Sequence, residues 1–265
     1  MQLTAVQDLS QSLSRHWRLW VNLAVRDIRL RYRRTVLGPF WTVLSNGVLI
    51  VSLGLVYSIL WQLPTRELLP YFCAGYVTWT MFTLMVNESA LAFIHADPII
   101  KSLSLPYVVH LMRVLVRNLI LFAHSLAVYA AVMLYFRVWP GWSLLIVPPA
   151  LALLTLNFFW MGLLLAILCT RFRDVLQVVT SVLQVVFFIT PIFWPPERLG
   201  GAKIARLVLV DANFVFHLID AVRAPLIGHV PHRLTWVVLG VTAVLGNALA
   251  LWMFSRYRRQ LAFWL

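Results

Sequence analysis

Arg26, Arg29 and Arg33 recur every three or four residues just ahead of a long apolar run, and residues 15–34 hold seven arginines in all. Such a row can do electrostatic work: it can hold lipid phosphates, nucleic acid or an acidic partner. Other chemistry has little to work with. Glu88 and His124 are the ionisable residues that fall at the edge of, or inside, long apolar runs, and such residues are functional candidates by default. Glu88 stands at a run's end, where pairing or capping accounts for it equally well, and His124 has the same standing. A proton-coupled carrier wants several carboxylates within its spans, and this chain does not supply them. Lys101 and Lys203 are its lysines and neither follows a glycine, so no phosphate-cradling G-x-x-x-x-G-K-[ST] loop exists. Cys73 and Cys169 both lie in apolar runs and read as packing residues. No catalytic residue, no metal site and no cofactor in this chain are expected.

The elements that must position these residues are set by a bilayer. The 265 residues are 62% hydrophobic and 12% charged, against about 45–50% and about 25% in a soluble domain. Mean hydropathy is +0.84. That leaves too little polar material to coat a water-facing surface. Nearly charge-free runs of about 20 residues, the length that crosses a membrane, number six: 37–62, 68–87, 118–136, 143–170, 175–196 and 234–255. With six spans both termini share a side. That side holds 15 of the 22 basic residues and the other side 7, five of them (Arg198, Lys203, Arg206, Arg223 and Arg233) after span five. Cytoplasmic segments retain the excess of Lys and Arg, so both termini are expected in the cytoplasm. This placement also argues against nucleic acid as the reason for a net charge of +13. Residues 1–34 lack a continuous apolar core, so no removable leader is expected.

Four segments are not plain spans. Leu13, Trp17, Trp20, Ala24 and Ile28 form one face of an amphipathic helix, with Arg15, Arg18, Asn22, Arg26, Arg29 and Arg33 on another, which suits a membrane interface. Gly38-Pro39 marks the turn into span one. Between spans two and three, Asp97 at the N-cap with Pro98 first in the helix predicts a short helix through Lys101; the loop after span four is only Arg171-Phe172-Arg173-Asp174. Thr190 to Pro196 is a breaker cluster. Beyond it, residues 198–232 hold apolar segments too short to cross, which predicts two short re-entrant or interfacial helices beside a pore, or else an ordered external cap. The 36 aromatic residues cluster at span ends, as an interfacial belt requires; those deeper in the spans could line a path, because sugar rings rest on aromatic faces.

Several blocks then carry a resemblance. Arg26-Asp27-Ile28-Arg29-Leu30-Arg31-Tyr32-Arg33, followed by Val36-Leu37-Gly38-Pro39-Phe40-Trp41, resembles the opening signature of ABC-2 type permeases that export polysaccharide. Arg113 to Ile120 with Phe122-Ala123-His124, Arg171 to Val175, Thr190 to Phe193, and Phe216 to Asp220 with Arg223 to Leu226 are similar to the O-antigen and lipopolysaccharide branch. These blocks fall in order across nearly the whole chain. The resemblance implies an all-α integral membrane protein of the bacterial inner membrane. It has six transmembrane helices, an N-terminal interfacial helix within 1–35, and a transmembrane domain over 36–265. That domain has a coupling loop at about 95–113 and periplasmic gate helices at about 196–232. It further implies a homodimer, a separate nucleotide-binding subunit on each protomer that binds ATP and Mg, and an undecaprenyl-linked polysaccharide as substrate.

Carried onto this chain, the resemblance assigns coupling to that subunit to Arg26, Arg29, Arg33, Asp97, Pro98, Lys101, Arg171 and Asp174. It assigns the channel to Trp41, Tyr57, Trp79, Phe82, Phe158, Phe187, Phe188, Phe193 and Trp194. The gate falls to Pro191, Asn213, His217 and Arg223. Where the family commonly has Asn-Pro, this chain has Asn213-Phe214, which puts the bend of the gate segment in question. Capsule, teichoic-acid or small-molecule export fits the same scaffold. A polyprenyl-sugar transferase would want clustered acids or histidines at a membrane face, whereas the external segment offers only Glu197, Asp211, Asp220 and scattered histidines.

Overall fold

The computed structural model describes residues 4–36, 38, 40–103 and 105–265, with the side chains of Thr42 and Arg198 left aside. Leu37 and Pro39, assigned above to the turn into span one, lie outside the described residues, as does the Arg198 side chain. Gly38 between them takes φ +55, a left-handed backbone that glycine adopts without strain.

All regular structure among the described residues is helical. Helix α1, Ala5–Ser14, opens with a capping box in which Thr4 and Gln7 satisfy each other's backbone amides. The chain breaks at Arg15-His16, and α2 runs Trp17–Arg31. The single amphipathic helix expected from Leu13 is thus two helices, with Leu13 on the first. The Trp20 Nε1 donates to the Ser12 carbonyl at 2.9 Å and fastens the two together. Ala24 and Ile28 are buried, while Arg26, Arg29 and Arg33 are exposed. Leu13 and Trp17, expected on the buried side, are exposed.

Among the described residues, five helices are long and apolar enough to cross a membrane. They are α3 (Phe40–Trp61), α4 (Thr65–Ala90), α6 (Val108–Phe136), α7 (Val147–Arg171) and α11 (Arg233–Trp264). The short helix α5, Asp97–Ser102, lies between α4 and α6. The stretch expected as a fifth span forms α8, Val175–Ile189, only 15 residues long. At 1.5 Å per residue that is about 22 Å, short of a hydrocarbon core of about 30 Å. Pro191 cannot donate to the turn before it, and the backbone turns extended at Thr190.

Helix α4 is central, in contact with α3, α6, α7, α8 and α10. Helices α7 and α11 pack closely enough that a Cβ at Gly246 would meet the Trp160 ring at 2.4 Å. Asn157 bridges them: its Nδ2 donates to the Leu239 carbonyl at 3.1 Å and its Oδ1 accepts from Thr242 at 2.9 Å. Such polar bridges help hold helices together where lipid gives no hydrophobic drive. After α8 come a four-residue α9, Lys203–Arg206, continued by a π turn over Leu207–Asp211, and α10, Phe214–Leu226. Short helices are therefore found where they were expected. Helix α10 is buried among α4, α7 and α11. Its last carbonyls, which a helix leaves without internal partners, accept from Tyr129 (at Leu226) and from Ser143 (at Pro225, 2.8 Å).

Candidate functional site

Two charged constellations form at the end of the bundle where the N- and C-terminal helices meet. In the first, Asp27 of α2 faces two arginines of α6. Arg113 donates through Nε (2.6 Å) and Nη2 (2.5 Å), and Arg117 through Nη1 (2.8 Å). Arg117 also donates to Glu88 of α4 through Nη2 at 2.6 Å, and Arg31 of α2 reaches the other Glu88 oxygen at 2.6 Å. Five charges thus join three helices. Burial alone would raise the Asp27 carboxyl, but the hydrogen bonds and charge of Arg113 and Arg117 prevail and hold it below the usual carboxylate range. The pairing role open to Glu88 in the sequence is the one it takes. His124 instead contacts the Ile120 carbonyl one turn back, at 2.7 Å.

In the second, Asp8 of α1 is completely buried. Its carboxylate accepts from the amides of Tyr107 and Val108 at 3.1 Å each and from Arg258 of α11 at 2.8 and 2.9 Å. The N-terminus of α6 has no side-chain cap of its own, so α1 supplies one, a negative charge where the helix dipole is positive. Asp8→Asn keeps an acceptor but loses the charge facing Arg258. It is expected to lower stability by about 1–3 kcal/mol, read as earlier thermal unfolding in detergent.

Helix α5 has no buried residue. Asp97 does not cap it: the residue is the first of the helix and its carboxylate pairs with Lys101 at 2.8 Å, four residues on. The side chain that was to accept from the helix N-terminus is drawn to the lysine instead. Pro98 occupies the first turn as expected. Arg26 and Arg29 stand exposed on α2, and Arg33 in the turn just beyond its end. Arg171 ends α7 and Asp174 precedes α8, with the Arg171 guanidinium 4.9 Å from the Trp264 ring.

At the opposite end, the residues expected at a gate converge. The Arg223 side chain is sealed inside the protein. Its Nη1 donates to the Pro191 carbonyl at 2.6 Å and Nη2 to Asp220 at 3.3 Å, and its guanidinium lies 4.3 Å from the Tyr71 ring. Asn213 caps α10, its Oδ1 accepting from Val215 and Phe216, while its Nδ2 donates to Thr190 at 3.1 Å. Phe214 is the first residue of α10, so phenylalanine opens the helix at a position where a proline is also accommodated. His217 contacts the Asp211 carbonyl through Nε2 and the Thr235 hydroxyl through Nδ1, each at 3.0 Å.

Most of the aromatics singled out for a channel form one continuous run. The rings of Tyr57 and Phe193 stack at 4.7 Å, Phe193 meets Phe187 at 5.9 Å, and Phe187 meets Trp79 at 5.3 Å. Phe188 lies against Phe187, and Phe82 and Phe158 continue from Trp79 into the buried interior. Trp41, exposed at the start of α3, and Trp194 stand apart from it. Beside the run, a groove of about 450 Å³ between α3, α4 and α8 is lined by Trp79 and Phe187 together with the polar Thr83, Asn87, Thr180 and Gln184. Cys73 and Cys169 are buried free thiols, as expected.

Asp8 was not singled out in the sequence; Asp27, Arg113 and Arg117 entered only through the blocks that carry the resemblance, and Tyr71 only as one of the aromatics that could line a path. A signal existed for the two acids: Asp8 is the sole acid before Asp27, and Asp27 is the sole acid in a stretch of arginines. An acid kept in so basic a neighbourhood has a cation to hold.

Comparison with known proteins agrees with this arrangement. Residues 18–227 match the family described as ABC-2 type transporter, from the start of α2 to the end of α10. The chain is 27% identical over 221 residues to the O-antigen export system permease protein RfbA of Myxococcus xanthus, covering 82% of this chain and 83% of that one. It is 25% identical over 187 residues to a protein of the same name from Klebsiella pneumoniae, covering 68% and 70%. With long apolar helices, a charged end where they are clasped together and a matched region that takes in Asp27, Glu88, Arg113 and Arg117 of the first constellation, the chain belongs to the ABC-2 type transporter family.

Proposed function

We propose that this chain is the membrane permease of an ABC exporter that moves an undecaprenyl-linked, O-antigen-like polysaccharide from the cytoplasm to the periplasm. Two copies form the pathway, each bound to a separate ATPase subunit that holds ATP and Mg. The chain sits in the bacterial inner membrane with both termini in the cytoplasm. Helix α8 and the extended residues after it serve as a sixth, interrupted crossing; α9 and α10 form the periplasmic gate with Pro191, Asn213, His217 and Arg223. Helices α1 and α2 lie in the cytoplasmic interface. The ATPase meets α5 through Asp97, Pro98 and Lys101, flanked by Arg26, Arg29 and Arg33, with Asp174 at the same end.

The observation that carries this reading is the aromatic run Tyr57, Phe193, Phe187 and Trp79 beside a groove with hydroxyl and amide groups. Flat rings offer the apolar faces of sugars a surface to slide on, and Thr83, Asn87, Thr180 and Gln184 offer partners for hydroxyls without a charge to trap them. The names of the relatives support O-antigen as the class of polymer.

A deletion strain tests the proposal. Loss of the surface polymer, with lipid-linked polymer accumulating inside, is the expected result; an unchanged surface glycan sinks it. Arg29→Ala with Arg33→Ala is expected to weaken co-purification of the ATPase severalfold while the chain still inserts. Undiminished assembly would reduce these arginines to markers of orientation.

A further inference from the structure

Arginines at the end that carries the termini fall into two groups. Arg31, Arg113, Arg117 and Arg258 each face a carboxylate. Around the last turns of α7 and α11 the balance is different. Among the described residues no carboxylate lies within ion-pairing distance of Arg171, Arg173, Arg256 or Arg259, and all four are exposed. Arg171 stands at the mouth of a crevice of about 270 Å³ between these two helices, walled by Ile167, Leu168, Met253, Tyr257 and Trp264. Its guanidinium is 4.9 Å from the Trp264 ring and 5.2 Å from that of Phe172, and the Tyr257 and Trp264 rings are 5.6 Å apart. Stacking holds the charge over the crevice without neutralising it.

Both helices are long apolar spans and these are their final turns. The crevice therefore opens at the level where hydrocarbon gives way to headgroups, the depth at which Trp and Tyr collect. Apolar walls below and an unneutralised guanidinium above ask for a ligand with the same two parts. Basic pockets between spans on the cytoplasmic side take anionic lipid headgroups. A zwitterionic lipid supplies the chain without the net charge, and a free anion supplies the charge without the chain. We infer that the crevice is a binding site for an anionic glycerophospholipid, with its phosphate on Arg171 and an acyl chain against Leu168, Met253 and Trp264. On this inference Arg171 serves the membrane, a different role from the coupling that the family resemblance assigns to it.

Native mass spectrometry on the purified full-length chain, titrated with phosphatidylglycerol or phosphatidylcholine of matched acyl chains, tests this. The wild type is expected to retain phosphatidylglycerol about fivefold better, the worth of one basic residue near an anionic surface. Arg171→Gln should abolish that preference, Arg171→Lys should restore most of it, and Arg66→Gln, at the opposite end, should leave it unchanged. Equal retention of both lipids by the wild type, or an undiminished preference in Arg171→Gln, overturns the inference. So does displacement of the lipid by millimolar inorganic phosphate, which would make the crevice a simple anion site. If Arg171→Gln loses the co-expressed ATPase while its lipid preference stays intact, the crevice belongs to a protein partner instead.

Discussion

Replacing Arg223 by leucine is expected to abolish export while the chain still reaches the membrane. The guanidinium is sealed in the protein, and its strongest bond is to the backbone carbonyl of Pro191, in the extended segment that follows α8. That segment has no helix to hold it. It is pinned from one side by Arg223, from another by the Tyr71 hydroxyl at 3.4 Å from the same carbonyl, and next door by Asn213 on Thr190. Packing there is tight: a Cβ at Gly75 would meet the Ile192 carbonyl at 3.2 Å. Leucine is apolar and shorter, so it leaves the carbonyl with a distant phenol and Asp220 without its cation. Removing one member of such a buried charged set costs about 3–5 kcal/mol. Lysine keeps the charge, but an ammonium can neither stack on Tyr71 nor reach the carbonyl and carboxylate in one plane, so Arg223→Lys should restore little. Surface polymer and membrane-embedded chain, measured together in a complemented deletion strain, check this. Wild-type export by Arg223→Leu would mean that the pinned segment does not move in transport.

This arrangement puts two kinds of rigidity at opposite ends of the same helices. Helix α4 contributes Tyr71 and Gly75 to the Arg223 hub and Glu88 to the charged clasp. Helix α6 starts at the carboxylate of Asp8 and carries Tyr129, which fastens the end of α10. On the proposed function, a displacement applied where α1, α2 and α5 lie would travel along α4 to the segment around Pro191 and along α6 to the end of α10. Neither path needs α8, which is lightly held and touches mainly α4 and α7.

What the sequence made legible follows from which forces are local. The five long helices were readable because a bilayer imposes about 20 apolar residues on each crossing. Most of their basic ends were readable because charges stay out of hydrocarbon. The length of α8 was not, since an apolar run from Val175 to Pro196 does not show where the backbone leaves the helix, although Pro191 gave the hint. Asp8 and Asp27 escaped for another reason. Their partners lie 99 and 86 residues away, and one sequence without a fold carries no such distance information. The residues expected at the gate came from family resemblance, yet Tyr71, on which Arg223 rests, stood only among the many aromatics that could belong to a belt or line a path. Asp97 was read as a cap because the local pattern Asp-Pro favours one; a lysine one turn along won the carboxylate instead.

The charged clasp yields an ordering of effects that simple pair-counting does not. Arg31, Arg113 and Arg117 oppose Asp27 and Glu88, three cations against two anions. Arg117→Gln removes the shared member, yet Arg113 still covers Asp27 and Arg31 still covers Glu88. Two separate pairs remain, and the loss is expected to be about 1–2 kcal/mol. Asp27→Ala is worse. Arg113 and Arg117 are then left side by side on α6, at 22% and 12% exposure, with Glu88, paired to Arg117, as the remaining anion of the clasp among the described residues, and the destabilisation should reach about 3–5 kcal/mol. The double variant Asp27→Ala with Arg117→Gln restores the original excess of one positive charge, so it should be more stable than Asp27→Ala alone. Thermal unfolding of the three variants in one detergent and one salt concentration checks the order. If the losses simply add, α2 is held to α6 by the packing of Ala24 and Ile28, and the charges are bystanders. If the double variant recovers, the clasp is electrostatic, and ATPase-driven export by the same variants should fall in the same order, because α2 can pass a push to α4 and α6 only while it is fastened to them.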